Sequence, residues 1–182
     1  MDDQVTGVPR GEVAALVAIQ TVLAPWPGML VAARGLSYFG EHSFGWLAVS
    51  ALGALRAPRQ WRAWLQVGAG AVIAHLAAVL IKQLVRRARP GHPAVAVHVG
   101  TPSRLSFPSA HAASTTAAAI LLARVTGTAL PVLLVPPMAV SRLLLGVHYP
   151  SDVAVGMALG GVVAAVAGAA ARATADEPGA AR

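Results

Sequence analysis

From Ala63 to Ile81 the chain runs the length of a membrane span without one Asp, Glu, Lys or Arg, and the run stops at Lys82. About 20 consecutive apolar residues let an α-helix cross the hydrocarbon of a bilayer, where every backbone polar group has to be bonded within the segment. Further apolar runs are Ser43 to Leu55 and Val153 to Ala171, also free of these residues, and Ser109 to Val125 and Ala129 to Val147, which carry one arginine each, Arg124 and Arg142. Hydrophobic residues are 56% of the chain and charged residues 12%, about half of the ~25% charge from which a soluble domain builds its surface. The expected fold is therefore all-α: a polytopic membrane helical bundle of five spanning helices plus an N-terminal interfacial or sixth helix.

The start of the chain reads differently. Val13 to Ala24 is apolar but is interrupted by Pro25-Trp26-Pro27 before a second apolar piece, Gly28 to Ala33. A run this short more often lies at an interface than spans, so a broken interfacial helix is expected, with a kinked transmembrane helix as the alternative. Residues 1–12 are acidic and lack the basic n-region of a secretory signal, so insertion relies on the internal segments. Arg34 to His42 is polar and punctuated by glycine and reads as a loop or a helix junction. The next run becomes long enough to span only if it extends back through Tyr38 and Phe39. The organisation expected is an N-terminal segment over 1–35, a membrane domain over 36–172 and a polar tail over 173–182. Gly156, Gly160 and Gly161 give G-x-x-x-G spacing, which allows close helix packing.

The net charge of +7 does not point to nucleic acid, because the arginines sit at the ends of apolar runs and form no stripe on a polar domain. There is no cysteine, which excludes disulfides and thiolate metal sites. Arg56, Arg59, Arg62, Arg124 and Arg172 fall on one side of the bundle, which the positive-inside rule makes cytoplasmic. Lys82, Arg86, Arg87, Arg89 and Arg142 then fall on the outer side, against the rule. Cations concentrated there call for a local anion, and a phosphate fits.

Three clusters could hold it. In KQLVRRARP, Lys82 and Arg89 are nearly two helical turns apart and would share a face, with Pro90 ending the helix. Arg86 and Arg87 read as snorkelling to lipid headgroups. In LSFPSAHAAS, Pro108 would occupy the first helical position and leave the amides of Ser109, Ala110 and His111 at a positive helix end, a natural anion cradle. In SRLLLGVHYPSD, Arg142, His148 and Asp152 close a long apolar run, and such residues at membrane depth are functional candidates. A first-turn carboxylate at Asp152 could take the Nδ1 hydrogen of His148 and leave Nε2 with an outward lone pair. It could equally be there to complement the helix dipole.

Together, K-x6-R-P from Lys82 to Pro90, P-S-A-H from Pro108 to His111 and S-R-x5-H-x3-D from Ser141 to Asp152 resemble the three-part signature of the type 2 phosphatidic acid phosphatases, a superfamily that includes vanadium haloperoxidases. The third motif alone should arise by chance in roughly one such chain per thousand. Ala110 stands where the family commonly has glycine, which adds a methyl group beside the phosphate but keeps the amide. Over roughly Leu36 to Gly161 the chain also resembles the actinobacterial decaprenylphosphoryl-5-phosphoribose phosphatases, which act in making the arabinose donor of the cell wall.

The resemblance implies an integral membrane phosphatase acting on a lipid-linked phosphate, with its site on the extracytoplasmic side. His148 would form a phosphohistidine, Asp152 would orient it and His111 would move the proton. Lys82, Arg89, Ser109, Arg142 and the amide of Ala110 would hold the phosphate oxygens; no metal, cofactor or nucleic acid is implied. The loop His92 to Arg104, with His98, Thr101 and Ser103, is where sugar or headgroup contacts are expected. His75, on the same helix face as Lys82, is expected to pack or to relay protons. Phosphatidic acid, phosphatidylglycerol phosphate and undecaprenyl diphosphate are alternative substrates. A haloperoxidase-like enzyme, a transporter and a non-catalytic lipid-binding protein are the rival classes.

Overall fold

A computed structural model of the chain describes residues 7–175. Among them the fold is seven α-helices: α1 Gly11–Leu23, α2 Met29–Gly40, α3 Phe44–Arg56, α4 Trp61–Val85, α5 Ala110–Thr126, α6 Val135–Leu144 and α7 Pro150–Ala175, with a long non-helical segment, Arg86 to Ser109, between α4 and α5. One isolated antiparallel bridge, Ala88 to Leu105, is the β-type pairing present among these residues. Of the polar tail expected over 173–182, residues 173–175 continue α7 and the rest lies outside the described residues, as do residues 1–6.

The centre is α5. Its run of Ala, Ser and Thr is buried from Ala112 to Ala119, and small side chains let neighbouring backbones approach closely. On one side α7 brings Gly156 and Gly160 against it. A Cβ at Gly156 would lie 2.5 Å from the Ser109 carbonyl oxygen, and one at Gly160 would lie 2.3 Å from that of Ala113. Gly161 meets nothing within 4 Å, so the packing pair is Gly156 and Gly160. On the other side α4 packs through Val67, Ala71, Ala74 and Ala78, all fully buried. Trp46 of α3 closes this core: Phe39 meets it edge to face at 5.0 Å, and its indole donates to the Thr115 hydroxyl at 3.2 Å.

Among the described residues two helices are long and apolar enough to cross a membrane: α4 with the turn before it, Pro58–Val85, and α7 over Pro150–Ala173. Only 33% and 28% of their apolar windows are buried. Ile73, Leu80 and Leu84 of α4 and Val162 and Val166 of α7 stand more than half exposed. Contiguous apolar surface of this kind needs lipid or a partner against it. The other helices are shorter: α3, α5 and α6 have 13, 17 and 10 residues, or about 20, 25 and 15 Å at 1.5 Å per residue.

Several local expectations need correcting. Arg34 to Gly40 is helix, the second half of α2. Ala33, Ser37 and Gly40 form its buried packing face, while Gly35 is exposed. The third helix does not extend back through Tyr38 and Phe39, because His42 and Ser43 both adopt left-handed backbone conformations that break the chain before Phe44. The helix carrying Lys82 ends at Val85, well before Pro90, with Arg86 left-handed at its C-cap. Lys82 and Arg89 therefore share no helical face. Beyond Arg86 the chain is extended and folds back on itself: Arg89 N donates to Arg104 O and Ser106 N to Arg87 O. Finally, Pro108 is not the first residue of α5. Ser109 is the N-cap, its hydroxyl accepting from Ala112 N at 3.4 Å, and Pro108 precedes it.

The segment after α6 turns at Gly146, which has φ +70° and sits so close to Ala96 that a Cβ would fall 2.2 Å from the Ala96 carbonyl oxygen. Only glycine meets both conditions without strain. The buried Gln20 of α1 clamps the same place: Nε2 donates to Ala96 O and Leu144 O, and Oε1 accepts from Ala96 N. Thus α1 is docked onto the turn that delivers His148.

Candidate active site

Four helix ends meet at one side of the bundle: the C-termini of α4 and α6 and the N-termini of α5 and α7. They and the Arg86 to Ser109 segment surround a cavity of about 660 Å³. Lys82, Arg89, Ala110, His111, Arg142 and His148 all line it, so the three sequence clusters converge as expected.

Each cation is held from behind. The Lys82 ammonium donates to the carbonyls of Ser106 and Pro108 at 2.8 and 2.6 Å, which fixes the turn leading into α5. Arg89 donates to Ser103 O and Val147 O and approaches His148 Nε2 at 3.4 Å. Arg142 is 2% exposed and bonds Ser141 Oγ and Ser37 Oγ, while its Nη2 is buried without a partner. A buried guanidinium nitrogen with nothing to bond costs stability unless a ligand answers it. The amides of Ala110 and His111 begin α5 and have no acceptor within the helix. Ser109 N is already committed to Asp152 O at 2.9 Å, and Ser109 itself is fully buried as the cap. The amides left open at this helix end are thus those of Ala110 and His111, with Ser109 underneath.

His148 precedes α7, whose first residue is Pro150. Its Nδ1 lies 3.5 Å from Asp152 Oδ2, at the limit of a hydrogen bond, and has no closer partner. Arginine donates only, so the approach of Arg89 marks Nε2 as the acceptor and puts the ring hydrogen on Nδ1, facing Asp152. Burial pushes the pKa of this imidazole down to about 3; the neighbouring Asp152 opposes that shift and Arg89 and Lys82 add to it. The ring is therefore neutral and its Nε2 lone pair faces the cavity. Asp152 is fully buried and also accepts the Tyr149 amide at 2.8 Å, the reach-back half of a capping box. It serves the helix end and the histidine together.

His111 Nε2 lies 3.0 Å from the Ser37 carbonyl. A carbonyl only accepts, so Nε2 carries hydrogen and Nδ1 is the free position. The ring fits because residue 40 is glycine: a Cβ there would lie 2.7 Å from His111 Cδ2. Ser37 thus touches both His111 and Arg142, a role that only its place on the small-residue face of α2 hints at in the sequence.

The sequence reading of Arg87 as a headgroup cation is overturned. Its guanidinium donates to Asp152 Oδ1 at 2.9 Å, Ser151 Oγ at 2.6 Å and Glu12 Oε2 at 2.6 Å, over the Tyr149 ring at 4.0 Å. Arg86 is exposed. Of the expected sugar contacts, Thr101 and Ser103 line the cavity and His98 does not; its backbone is tied to Leu145 and Arg34. Tyr38, Glu41, His42, His75 and Gln83 line it as well. His75 stands near His42, with ring centroids 5.8 Å apart, and its Nδ1 is buried without a partner.

An all-helical fold that gathers this set of residues at four helix ends defines a class, and comparison with known proteins agrees: residues 63–173 match the PAP2 superfamily model, and the chain belongs to that family. It is 68% identical over 158 residues to the decaprenylphosphoryl-5-phosphoribose phosphatase of Mycobacterium tuberculosis, covering 87% of this chain and 89% of that protein. The Mycolicibacterium smegmatis protein of the same description is 68% identical over 148 residues, covering 81% and 82%. In fold it is similar to a transmembrane PAP2-type phosphatidylglycerolphosphate phosphatase of Bacillus subtilis, with TM-score 0.69 and 20% identity over 93% of this chain and 88% of that one. It is likewise similar to LpxE of Aquifex aeolicus, with TM-score 0.70 and 18% identity over 85% and 92%.

Proposed function

We propose that the chain hydrolyses the 5-phosphate of decaprenylphosphoryl-5-phosphoribose, a polyprenyl-linked sugar phosphate, through a phosphohistidine. The observation that carries this reading is the 68% identity to two phosphatases of that description over most of both chains. The cavity supports it: at about 660 Å³ it exceeds what one phosphate fills, and ligand sites for larger molecules lie in the range of ~300–1,000 Å³.

The phosphate sits between Lys82, Arg89, Arg142 and the amides of Ala110 and His111, where charge on the transferring group needs stabilisation. His148 Nε2 attacks phosphorus; the bond to the sugar oxygen breaks as that oxygen takes the Nδ1 proton of His111. The His111 ring enters this step as the imidazolium, having taken that proton from the monoanionic phosphate on binding. Asp152 balances the charge left on the phosphorylated imidazole. Water then attacks phosphorus, gives its proton to His111, and phosphate leaves as the P–N bond breaks. The sugar extends along Thr101 and Ser103 on one wall and Tyr38, Glu41 and His42 on the other. The apolar Val72, Leu76 and Val79, which line the same cavity, lead toward the bilayer.

The chain is a multi-pass protein of the plasma membrane with this site on the extracytoplasmic face. The site lies at one set of helix ends, and Arg56, Arg59, Arg62, Arg124 and Arg172 lie toward the other, which the positive-inside rule assigns to the cytoplasm. The test is phosphate release by the purified protein from decaprenylphosphoryl-5-phosphoribose, phosphatidic acid, phosphatidylglycerol phosphate and undecaprenyl diphosphate, with His148→Ala alongside. The first lipid should give the highest kcat/KM, and His148→Ala should release none. Preference for another lipid would overturn the substrate, and turnover by His148→Ala would overturn the mechanism.

A further inference from the structure

We infer that Glu12 and Arg87 are positioning residues for the catalytic carboxylate, so that α1 completes the active site. This rests on the reading of His148 as the nucleophile and Asp152 as its orienting group.

Asp152 is fully buried, and three groups stand around its carboxylate. Tyr149 N and His148 Nδ1 both face Oδ2, at 2.8 and 3.5 Å, while Oδ1 takes Arg87 Nη1 at 2.9 Å. A carboxylate held at one oxygen can turn about its last bond. Bonding at both oxygens fixes its plane, and the plane decides whether Oδ2 presents a lone pair to the imidazole. Arg87 is therefore what aims Oδ2 at His148.

Arg87 is in turn held from three directions. Nη2 meets Glu12 Oε2 at 2.6 Å, Nη1 also meets Ser151 Oγ at 2.6 Å, and the guanidinium lies over the Tyr149 ring. Glu12 closes the circuit, because its other oxygen accepts Ser151 N at 2.8 Å in the first turn of α7. One carboxylate on α1 thus joins the segment that carries Arg87 to the helix that carries Asp152. Glu12 and Arg87 are about one-third exposed, and an ion pair at the surface contributes little to stability. The geometry, with both Glu12 oxygens and both Arg87 terminal nitrogens committed, is that of an outer layer that orients an inner one. Gln20, farther along α1, anchors the same helix to Ala96 and Leu144.

The test is steady-state kinetics of the full chain in detergent with decaprenylphosphoryl-5-phosphoribose, reading kcat and KM separately, with melting temperature as a control for folding. Arg87→Ala should lower kcat by about 10–100-fold, the range for outer-layer residues of this kind, with KM unchanged. Arg87→Lys keeps the charge without the fork and should recover only part of the loss. Glu12→Gln keeps an acceptor for Ser151 N but not the ion pair, and should lower kcat less than Arg87→Ala. The two together should cost no more than Arg87→Ala alone, because they act in one chain of contacts. Arg86→Ala, which removes the neighbouring exposed cation, should match the wild type. If Arg87→Ala does not fold, Glu12→Gln decides alone. A kcat within about twofold of wild type in folded Arg87→Ala and Glu12→Gln, or a loss confined to KM, overturns the inference. His148→Ala in the same series separates the outcomes: turnover there sinks the underlying reading, whereas a dead His148→Ala beside a fully active Arg87→Ala sinks this inference alone.

Discussion

Replacing Gly40 by alanine puts one methyl group where the structure leaves no room for it. The new carbon would lie 2.7 Å from His111 Cδ2 and 3.1 Å from Met138 Cε. Met138 is flexible and can yield. His111 is tied by Nε2 to the Ser37 carbonyl, at 3.0 Å, on the same helix as residue 40. To reach an ordinary contact of roughly 3.5 Å the ring has to move about 0.8 Å. A displacement of about 1 Å in a reacting group can cost on the order of 100-fold, so kcat should fall about 30–100-fold. Stability should fall by no more than about 2.5 kcal/mol, since crowding of about 1–3 kcal/mol is offset in part by the ~0.5–1 kcal/mol that alanine gains over glycine in a helix. The assay pairs phosphate release with a thermal melt. In a His111→Ala background the clashing ring is gone, and adding Gly40→Ala should alter the residual rate less than about twofold. A Gly40→Ala protein that melts like the wild type and turns over within about twofold of it refutes the reasoning.

Two other predictions concern stability. Gly160→Ala should cost about 1–3 kcal/mol, because its Cβ meets the Ala113 carbonyl at 2.3 Å and Thr116 Cβ at 2.8 Å; Gly161→Ala, which meets nothing, should be neutral or slightly stabilising, and equal melting points for the two would contradict the packing of α7 on α5. His148 is held neutral with its pKa near 3, whereas the unfolded ring takes a proton near 6.5. Between those values the unfolded state binds the extra proton, so this group makes the substrate-free fold lose up to ~1.4 kcal/mol per unit as pH falls from about 6.5. Melts from about pH 7 to 4 should therefore fall more steeply for the wild type than for His148→Asn, and parallel curves would count against a neutral buried His148.

Much of the site was legible in the chain because its chemistry demands residue types that a membrane helix otherwise avoids. Lys82, Arg89, His111, Arg142, His148 and Asp152 stood out against apolar surroundings, and the structure brings all six to one place. The route to Arg89 was misread: helical periodicity put it on the Lys82 face, but the left-handed Arg86 ends α4 and an extended segment delivers it. Ser37 and Gly40 were hidden because small residues between glycines look alike whether they turn a chain or pack a helix. Only the close approach of His111 tells the two apart.

The sequence by itself determined that the chain is helical, that it belongs against lipid and that three clusters suited to an anion lie at the ends of its apolar runs, because hydropathy, charge scarcity and motif spacing are local properties. What tertiary structure alone decided is which of the remaining charges stand beside those clusters. Glu12 and Arg87 are 75 positions apart and Arg87 and Asp152 are 65. No periodicity links residues at such distances; only the docking of α1 and the fold-back of the chain after Arg86 put them within a hydrogen bond of one another.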